Sequence, residues 1–402
     1  MRVVFLGHSA GRTGAPMLLL ELQRWLAQAG GTEIRTLLKS EGALLEEYAK
    51  LGPVGITPGG TRTASTPRRA RRWLNRIAGR DLWAAREARR QFQELRAWRP
   101  DMIYANTVST WNEIEWLAPL GVPVLWHVHE LSFLIRHSVG AERLKRLTPS
   151  IGRFVAASQA VGRALTQEFS VPENQVTVLH EFIRPPQWTE DQIQERRRDL
   201  RASMGLPDHA FLVGGCGTTD WRKGVDLFTV IAQRFREMSS QTAAAFLWVG
   251  SGDARTDAQH RFTAARAGLS DYCRFIGETN QPMDYLAAID VFAMVSREDP
   301  FPLVMLEAGG LGVPTVCWAD SGGAPEYVEA DAGIIVPYLS VDRFANALQE
   351  LRRDETRRRS MGARASAKVR ERYTLERQAP RLRAEMDRLC TAQHGSPAAL
   401  TP

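Results

Sequence analysis

The sequence predicts an α/β protein made of two doubly wound domains, and three features of its pattern lead there. Short apolar runs alternate with longer amphipathic stretches, the alternation starts afresh after residue 205, and a pair of prolines separates the two series. An unbroken run of Val, Ile, Leu and Phe between turn residues reads as a strand covered on both faces. A helical stretch between two such runs is then the crossover of a parallel sheet.

In the first series strands are expected over 3–7, 34–38, 102–106 and 123–127, with helices over 15–29, 41–51 and 110–117. In the second, strands over 211–216, 244–250, 272–276, 291–295, 315–318 and 333–336 alternate with helices over 225–238, 257–268, 283–288 and 303–310. The segment 182–188 contains Pro185 and Pro186 and can continue neither a helix nor a central strand, so it is the expected hinge. Near the end, Leu375, Ala379, Leu382 and Met386 recur at three- and four-residue spacings and describe an amphipathic helix that Pro380 is expected to kink. The expected organisation is a domain over 1–182, a hinge over 183–189, a domain over 190–372, a helix over 373–392 and a flexible tail over 393–402.

The 402 residues are 44% hydrophobic and 24% charged, proportions that exclude a disordered chain, a collagen-like rod or a coiled coil. No apolar run reaches the roughly 18–20 residues of a membrane span, and the first residues read as a strand and not as a secretion signal, so the expected location is the cytosol. Cys216, Cys273, Cys317 and Cys390 show no paired spacing and read as buried thiols. The net charge of +7 is concentrated, because twelve arginines and three acids between Arg62 and Arg99 make that stretch +9 and leave −2 elsewhere. This argues against a nucleic-acid surface over the whole protein and for one basic face.

In open α/β sheets ligands bind beyond the carboxyl ends of strands, so the turns that follow strands are the first places to search. After the first strand, Gly7, Gly11, Arg12, Thr13 and Gly14 lead straight into a helix whose unpaired N–H groups suit a phosphate or sugar oxygen. The same glycines serve equally for a tight turn, and their spacing is not the dinucleotide fingerprint. The turn from Gly214 to Gly224 repeats the pattern, with Thr218, Arg222 and Lys223 in its loop. The adjacent cations read as a solvated pair or as a diphosphate clamp. A cation at a helix N-terminus opposes the helix dipole unless an anion is present, which favours the clamp.

The strongest pattern runs from Ser296 to Gly310, with Asp299 at the loop mouth and Glu307 eight residues later among Leu303, Val304 and Leu306. A carboxylate in apolar company needs partners; vicinal hydroxyls of a ribose or hexose are suitable donors, and a buried structural salt bridge is the alternative. His127 and His129, on one side of a strand end and followed by Glu130, are a structural pair or a substrate contact.

Taken in order, these motifs resemble family 4 retaining glycosyltransferases of the GT-B fold, the glycosyltransferase group 1 type. Asp299 to Glu307 is similar to their signature of Glu, seven residues, Glu, with Asp299 in the first place and Glu298 beside it. The first glycine-containing loop, the strand ending in His129-Glu130, the Lys223-Gly224 loop and Gly322-Gly323-Ala324-Pro325-Glu326 follow in the family's order. The resemblance implies two Rossmann-like domains facing across a cleft, with the last helix crossing back to the N-terminal domain. It implies transfer of a sugar from a nucleoside diphosphate sugar to an acceptor hydroxyl with retained anomeric configuration, in polysaccharide or glycolipid biosynthesis.

By the same resemblance Lys223 binds the donor diphosphate, and Arg222 stands in for a family arginine whose position is held by Thr218. Gly14 and the backbone of Phe301, Pro302, Leu303 and Val304 meet the donor, Ile276 and Gly277 border the base, and Asp299 and Glu307 hold sugar hydroxyls. His129 contacts the donor sugar, while Arg12, Thr13, His127 and Glu130 border the acceptor or the cleft. His180 and Glu181 stand where the family often has Asn-Gly. No Asp-x-Asp occurs, so no metal is expected, and no other cofactor. The expected partners are a nucleotide sugar and a glycan or lipid-linked acceptor, with no nucleic acid. A non-catalytic nucleotide-sugar or glycan-binding relative is the alternative, kept open by Asp299 and Thr218. Finally, Arg68, Arg69, Arg71, Arg72 and Arg76 flank Trp73 at helical spacings, as a solvated charged helix or as a peripheral attachment to anionic lipid on the inner face of the cell membrane.

Overall fold

A computed structural model of the chain describes residues 1–61, 82–238 and 243–394. The expected basic face, Arg68, Arg69, Arg71, Arg72, Trp73 and Arg76, lies outside the described residues, as do residues 395–402 of the expected tail. The chain divides into two compact units. Met1–Ala157, Val161–Leu179 and the residues from Gln378 onward form the first, and Ser158–Ala160 with His180–Arg377 form the second.

The first unit is a seven-stranded parallel sheet: β1 (Arg2–Gly7), β2 (Glu33–Ser40), β3 (Val54–Thr61), β4 (Met102–Asn106), β5 (Val124–Val128), β6 (Arg153–Ala156) and β7 (Val176–Val178), in the order β3-β2-β1-β4-β5-β6-β7. Val3, Val4, Phe5 and Leu6 are all fully buried, as a strand covered on both faces requires. Strands β3, β6 and β7 have no counterpart in the expected set. β3 carries Pro58, Gly59 and Gly60 and lies at the sheet edge, where proline is tolerated, and β6 and β7 are too short to show a period. The helix expected over 41–51 is confined to Leu45–Ala49.

The last helix, Leu375–His394, runs on through Pro380, whose missing N–H falls in its second turn. From Gln378 it belongs to the first unit. There Arg383 donates to Thr32 at 3.0 Å, Glu385 pairs with Arg153 at 3.4 Å, and the Leu389 side chain fills the space a Cβ on Gly152 would take.

The second unit is a six-stranded parallel sheet: β8 (Phe211–Cys216), β9 (Ala244–Val249), β10 (Cys273–Gly277), β11 (Val291–Met294), β12 (Thr315–Trp318) and β13 (Gly333–Val336), in the order β10-β9-β8-β11-β12-β13. Alternate residues enter two cores, as the pleat dictates. Leu212, Leu247, Phe292 and Met294 pack with Met305 and Leu306 on one face, while Phe211, Val213, Phe246 and Trp248 pack with Phe228 and Ile231 on the other. The helix expected over 257–268 begins earlier, at Ala254, because the Asp253 carboxylate accepts the N–H groups of Arg255 and Thr256. All four cysteines are free; Cys273 and Cys317 are buried, Cys216 is partly exposed as a residue although burial still acts on its thiol, and Cys390 is partly exposed. Among the described residues no helix is long and apolar enough to cross a membrane.

At the amino edge of the second sheet, Asp290 gathers three arginines from two helices, Glu190–Ser203 and Glu355–Arg372. Its Oδ2 accepts from Arg201 at 2.7 Å and from the Leu212 N–H at 2.8 Å, its Oδ1 pairs with Arg197, and Arg358 stands 3.6 Å away. Arg201 is 2% exposed and also donates to the carbonyls of Ala288, Asp208 and Ala210. Burial works to raise the Asp290 pKa, and the guanidinium groups of Arg197 and Arg201 bring it below the usual carboxylate range. Removing this carboxylate strands a buried cation, so D290A is expected to lower unfolding free energy by about 3 kcal/mol, measured by urea denaturation at pH 7. A loss within experimental error would show that Asp290 is not the tie we describe.

Candidate functional site

In a doubly wound sheet the crevice opens where strand order reverses. In the second unit that point lies between β8 and β11, and the turns after these two strands carry the loops singled out above. After β8, Asp220 accepts the Arg222 N–H at 2.9 Å and the Thr218 hydroxyl at 2.5 Å, shaping a single tight turn over Trp221–Lys223. Gly224 follows at φ 70°, and a Cβ there would meet the Val295 carbonyl at 2.2 Å, so only glycine lets this turn sit against the end of β11. The Arg297 N–H donates to the Arg222 carbonyl at 2.8 Å across the same contact.

Asp299 is held there by its backbone, its N–H donating to the Ser321 carbonyl at 2.7 Å and its carbonyl accepting from Gly323 at 3.1 Å. Its Oδ2 accepts from Lys223 Nζ at 2.7 Å and Ser296 Oγ at 3.3 Å, with Arg222 Nη1 at 3.6 Å. Burial opposes its ionisation, but the charges of Lys223 and Arg222 outweigh burial and hold its pKa below the usual carboxylate value. Asp299 therefore sits in a buried salt bridge with Lys223, close to Arg222.

Glu307 differs. It lies on the helix Leu303–Gly310, which starts at Pro302 with no side-chain cap and no acid in its first turn, so the N–H groups of that turn are unspent by side chains. No ion pair reaches Glu307 among the described residues, and burial alone lifts its pKa to about 7. The Cys216 thiol at the end of β8 is pushed up to about 12 by burial and by Glu307, with Lys223 acting the other way. The lysine and this second acid thus share one neighbourhood.

The other predicted residues of this unit are placed as follows. Thr218 is exposed; Ile276 and Gly277 are partly buried, and the Gly277 carbonyl accepts from the Gly250 N–H at 2.8 Å. Pro302 is buried, Leu303 and Val304 are partly buried, and the Phe301 ring points inward onto His180 and Tyr373, at 4.7 and 5.3 Å between centroids. Glu326 accepts the N–H groups of Gln159 and Ala160 and pairs with His180 Nε2, all at 2.8 Å. That capping explains why Ser158–Ala160 belong to the second unit, and neither periodicity nor motif spacing foretold it.

In the first unit the reversal lies between β1 and β4. Arg12, Thr13 and Gly14 are exposed at the start of the helix Gly14–Ala29, and Thr13 makes no capping bond. His129 Nε2 bonds Asn106 Oδ1 at 2.8 Å, and one carboxylate oxygen of Glu130 accepts both the His129 and the Val108 N–H at 3.0 Å. His127 is interior: its Nδ1 meets the Tyr104 hydroxyl at 2.6 Å, its Nε2 is buried without a hydrogen bond, and its ring lies 4.0 Å from that of His129. Burial, then His129, keeps the His127 pKa well below the usual histidine value. His8 is lowered as well, by burial, His129 and Lys39. Tyr104, Asn106 and His8 were missed, although the end of the strand expected over 102–106 was a place the carboxyl-edge rule would have searched. Among the described residues no group of three or more His, Cys, Asp or Glu is placed to hold a metal ion.

Comparison with known proteins finds matches in both halves of the chain. Residues 13–185 match the family described as Glycosyltransferase Family 4, and residues 209–354 match Glycosyl transferases group 1, so the two matches together span most of the chain. The chain belongs to the family 4 glycosyltransferases. Its fold is the GT-B arrangement of two Rossmann-like parallel sheets. The structure of Anabaena HepE in complex with UDP-glucose superposes on this family 4 chain with a TM-score of 0.76 at 18% identity, over 96% of this chain and 100% of that one.

WaaG, a glycosyltransferase involved in lipopolysaccharide biosynthesis, gives 0.66 at 16% identity, over 91% and 95%. Among curated proteins, a GDP-mannose-dependent monoacylated alpha-(1-6)-phosphatidylinositol monomannoside mannosyltransferase of Corynebacterium glutamicum is 32% identical over 197 residues, 47% of this chain. A D-inositol 3-phosphate glycosyltransferase of Stackebrandtia nassauensis is 27% identical over 272 residues, 63% of this chain. This family 4 chain spans 50% and 60% of the length of those two relatives.

The unpaired acid makes a pH prediction. The folded pKa of Glu307, about 7, lies above its unfolded value of roughly 4.3, so the native state loses stability as pH rises from one to the other. E307Q mimics the protonated acid. Its ligand-free Tm is expected to match wild type near pH 4 and to exceed it at pH 8; a constant difference across that range would refute the assignment.

Proposed function

We propose that the chain transfers a sugar from a nucleoside diphosphate sugar to an acceptor hydroxyl, with retention of anomeric configuration, in the synthesis of a glycolipid or cell-surface polysaccharide. One observation carries the reading. Two cations, an uncapped helix start and an acid without an ion pair converge at the strand-order reversal of the second sheet. That set suits a ligand with a charged pyrophosphate and vicinal hydroxyls, and the names of the relatives lie in the same chemistry.

In the proposed reaction the bond from the anomeric carbon to the β-phosphate oxygen breaks, and the acceptor oxygen bonds to the same face of that carbon. Lys223 and Arg222, with the N–H groups of Leu303 and Val304, stabilise charge growing on the departing diphosphate. The departing phosphate oxygen accepts the acceptor proton, so no carboxylate nucleophile is needed, and the reading invokes no metal. Glu307 holds vicinal hydroxyls, and His129 contacts the donor sugar.

A thermal-shift series with UDP, GDP, ADP and their glucose and mannose conjugates is expected to raise Tm for one base, since a ligand of the native state stabilises it. K223A is expected to cut turnover of the matching nucleotide sugar by about 100-fold, the scale of losing one donor to a developing oxyanion. Full activity in K223A would reject the site. Nucleotide binding with no transfer to any acceptor would support the non-catalytic relative instead, a reading favoured only by the engagement of Asp299 with Lys223.

Peripheral attachment through Arg68, Arg69, Arg71 and Arg72 is part of the proposal, at about 1 kcal/mol for each basic residue near an anionic surface. Binding to phosphatidylserine vesicles is expected to fall with salt and to vanish when these four are changed to Glu. Salt-independent partitioning would contradict it.

A further inference from the structure

We propose that Asn106 is a positioning residue for His129, fixing which ring nitrogen carries the proton and the angle at which the imidazole is presented. The functional part rests on the proposed role of His129 as a sugar contact; the structural part stands on geometry. Asn106 is 1% exposed at the last position of β4, beside the strand-order reversal of the first sheet. Its amide has a determined orientation, because Nδ2 donates to the Ala15 carbonyl at 3.0 Å and a carbonyl can only accept. The amide oxygen therefore faces His129 Nε2 at 2.8 Å. An amide oxygen cannot donate, so Nε2 must carry a proton, and in the neutral ring Nδ1 keeps the lone pair.

The surroundings hold this geometry from three sides. Beneath the ring lies His127, tilted 39° and tied to Tyr104. The backbone of His129 is tied through Glu130 to Val108, and so to the turn that follows Asn106. In that turn Thr107 sits at φ 74° and ψ 154°, a conformation that favours glycine. It is kept there by its N–H to the His127 carbonyl at 2.9 Å, and by bonds to its own carbonyl from Trp126 Nε1 and Thr110 Oγ1, each 2.8 Å. Backbone strain maintained by this many bonds, directly after the residue that orients His129, is expected where a side chain must be aimed. Asn106 also spans the reversal, joining the end of β4 to the first turn of the helix Gly14–Ala29.

A purely architectural tie between β4 and that helix is the competing account, and two measurements separate them. In protein labelled with 15N-histidine, the two-bond 1H–15N spectrum of His129, assigned by its loss in H129A, is expected to show a proton on Nε2 in wild type. N106L removes the acceptor at similar volume and should release the tautomer, whereas N106D keeps an acceptor and should retain it.

Turnover of UDP-glucose and GDP-mannose, followed by release of the nucleoside diphosphate, is expected to fall by about 10- to 100-fold in N106L, the scale of a misplaced reacting group, with UDP and GDP affinity unchanged. In an H129A background N106L should have no further effect on turnover. An unchanged His129 tautomer in N106L, or losses that add in the double variant, would overturn the proposal. If wild type turns over neither donor, the proposed function fails for those donors and the functional part with it, while the spectrum still decides the structural part. Should N106L not fold, an N106D spectrum lacking the Nε2 proton would overturn it as well.

Discussion

A carboxylate taken out of water must be paired, and the pairing of Asp299 organises the carboxyl edge of the second sheet. Its backbone is clamped by Ser321 and Gly323, so its short side chain has little reach, and the cations come to it. Lys223 and Arg222 can do so because Gly224 lets their turn press against the end of β11. The result is a pre-aimed pair of cations held by one internal anion. An incoming diphosphate would meet side chains already ordered, and would compete with that anion for the lysine.

Glu307 is the counterpart that this pairing leaves out. Eight residues from Asp299, it has its pKa lifted by burial to about 7. Two acids of one motif thus have opposite electrostatics: one is stabilised as an anion by neighbouring cations, the other is penalised as an anion by its surroundings. A ligand offering phosphate to the first set and hydroxyls to the second answers both. The first unit solves a different problem with different chemistry. Around its own reversal it buries imidazoles, an amide and a phenol, whose hydrogen bonds orient the rings, and burial disfavours charge on His127.

Much of the fold was legible, for one physical reason. Strands covered on both faces must be largely apolar, so β1, β2, β4, β5, β8, β9, β11 and β12 stood out as runs in the chain, and the edge strands β10 and β13 are apolar enough to have been read as well. Strands at or near an edge escape that demand, and β3 with Pro58, like the short β6 and β7, left no such trace. Among site residues, Lys223, Asp299 and Glu307 were legible because chemistry-bearing side chains fell in turns after strands. Asn106 was not, because an asparagine closing a strand reads as ordinary turn chemistry until its two hydrogen-bond partners are known.

By itself, then, the order of residues determined the alternation of elements, the two sheets, and which turns could carry a phosphate site, since burial and turn chemistry are local constraints. Tertiary structure alone decided that Asp299 takes Lys223, 76 residues away in sequence, while Glu307 takes no cation among the described residues, and that Ser158–Ala160 join the second unit through Glu326. It also placed the amide oxygen of Asn106 against Nε2 of His129. Those outcomes depend on distances of a few ångströms between loops remote along the chain, and no spacing in a one-dimensional string encodes them.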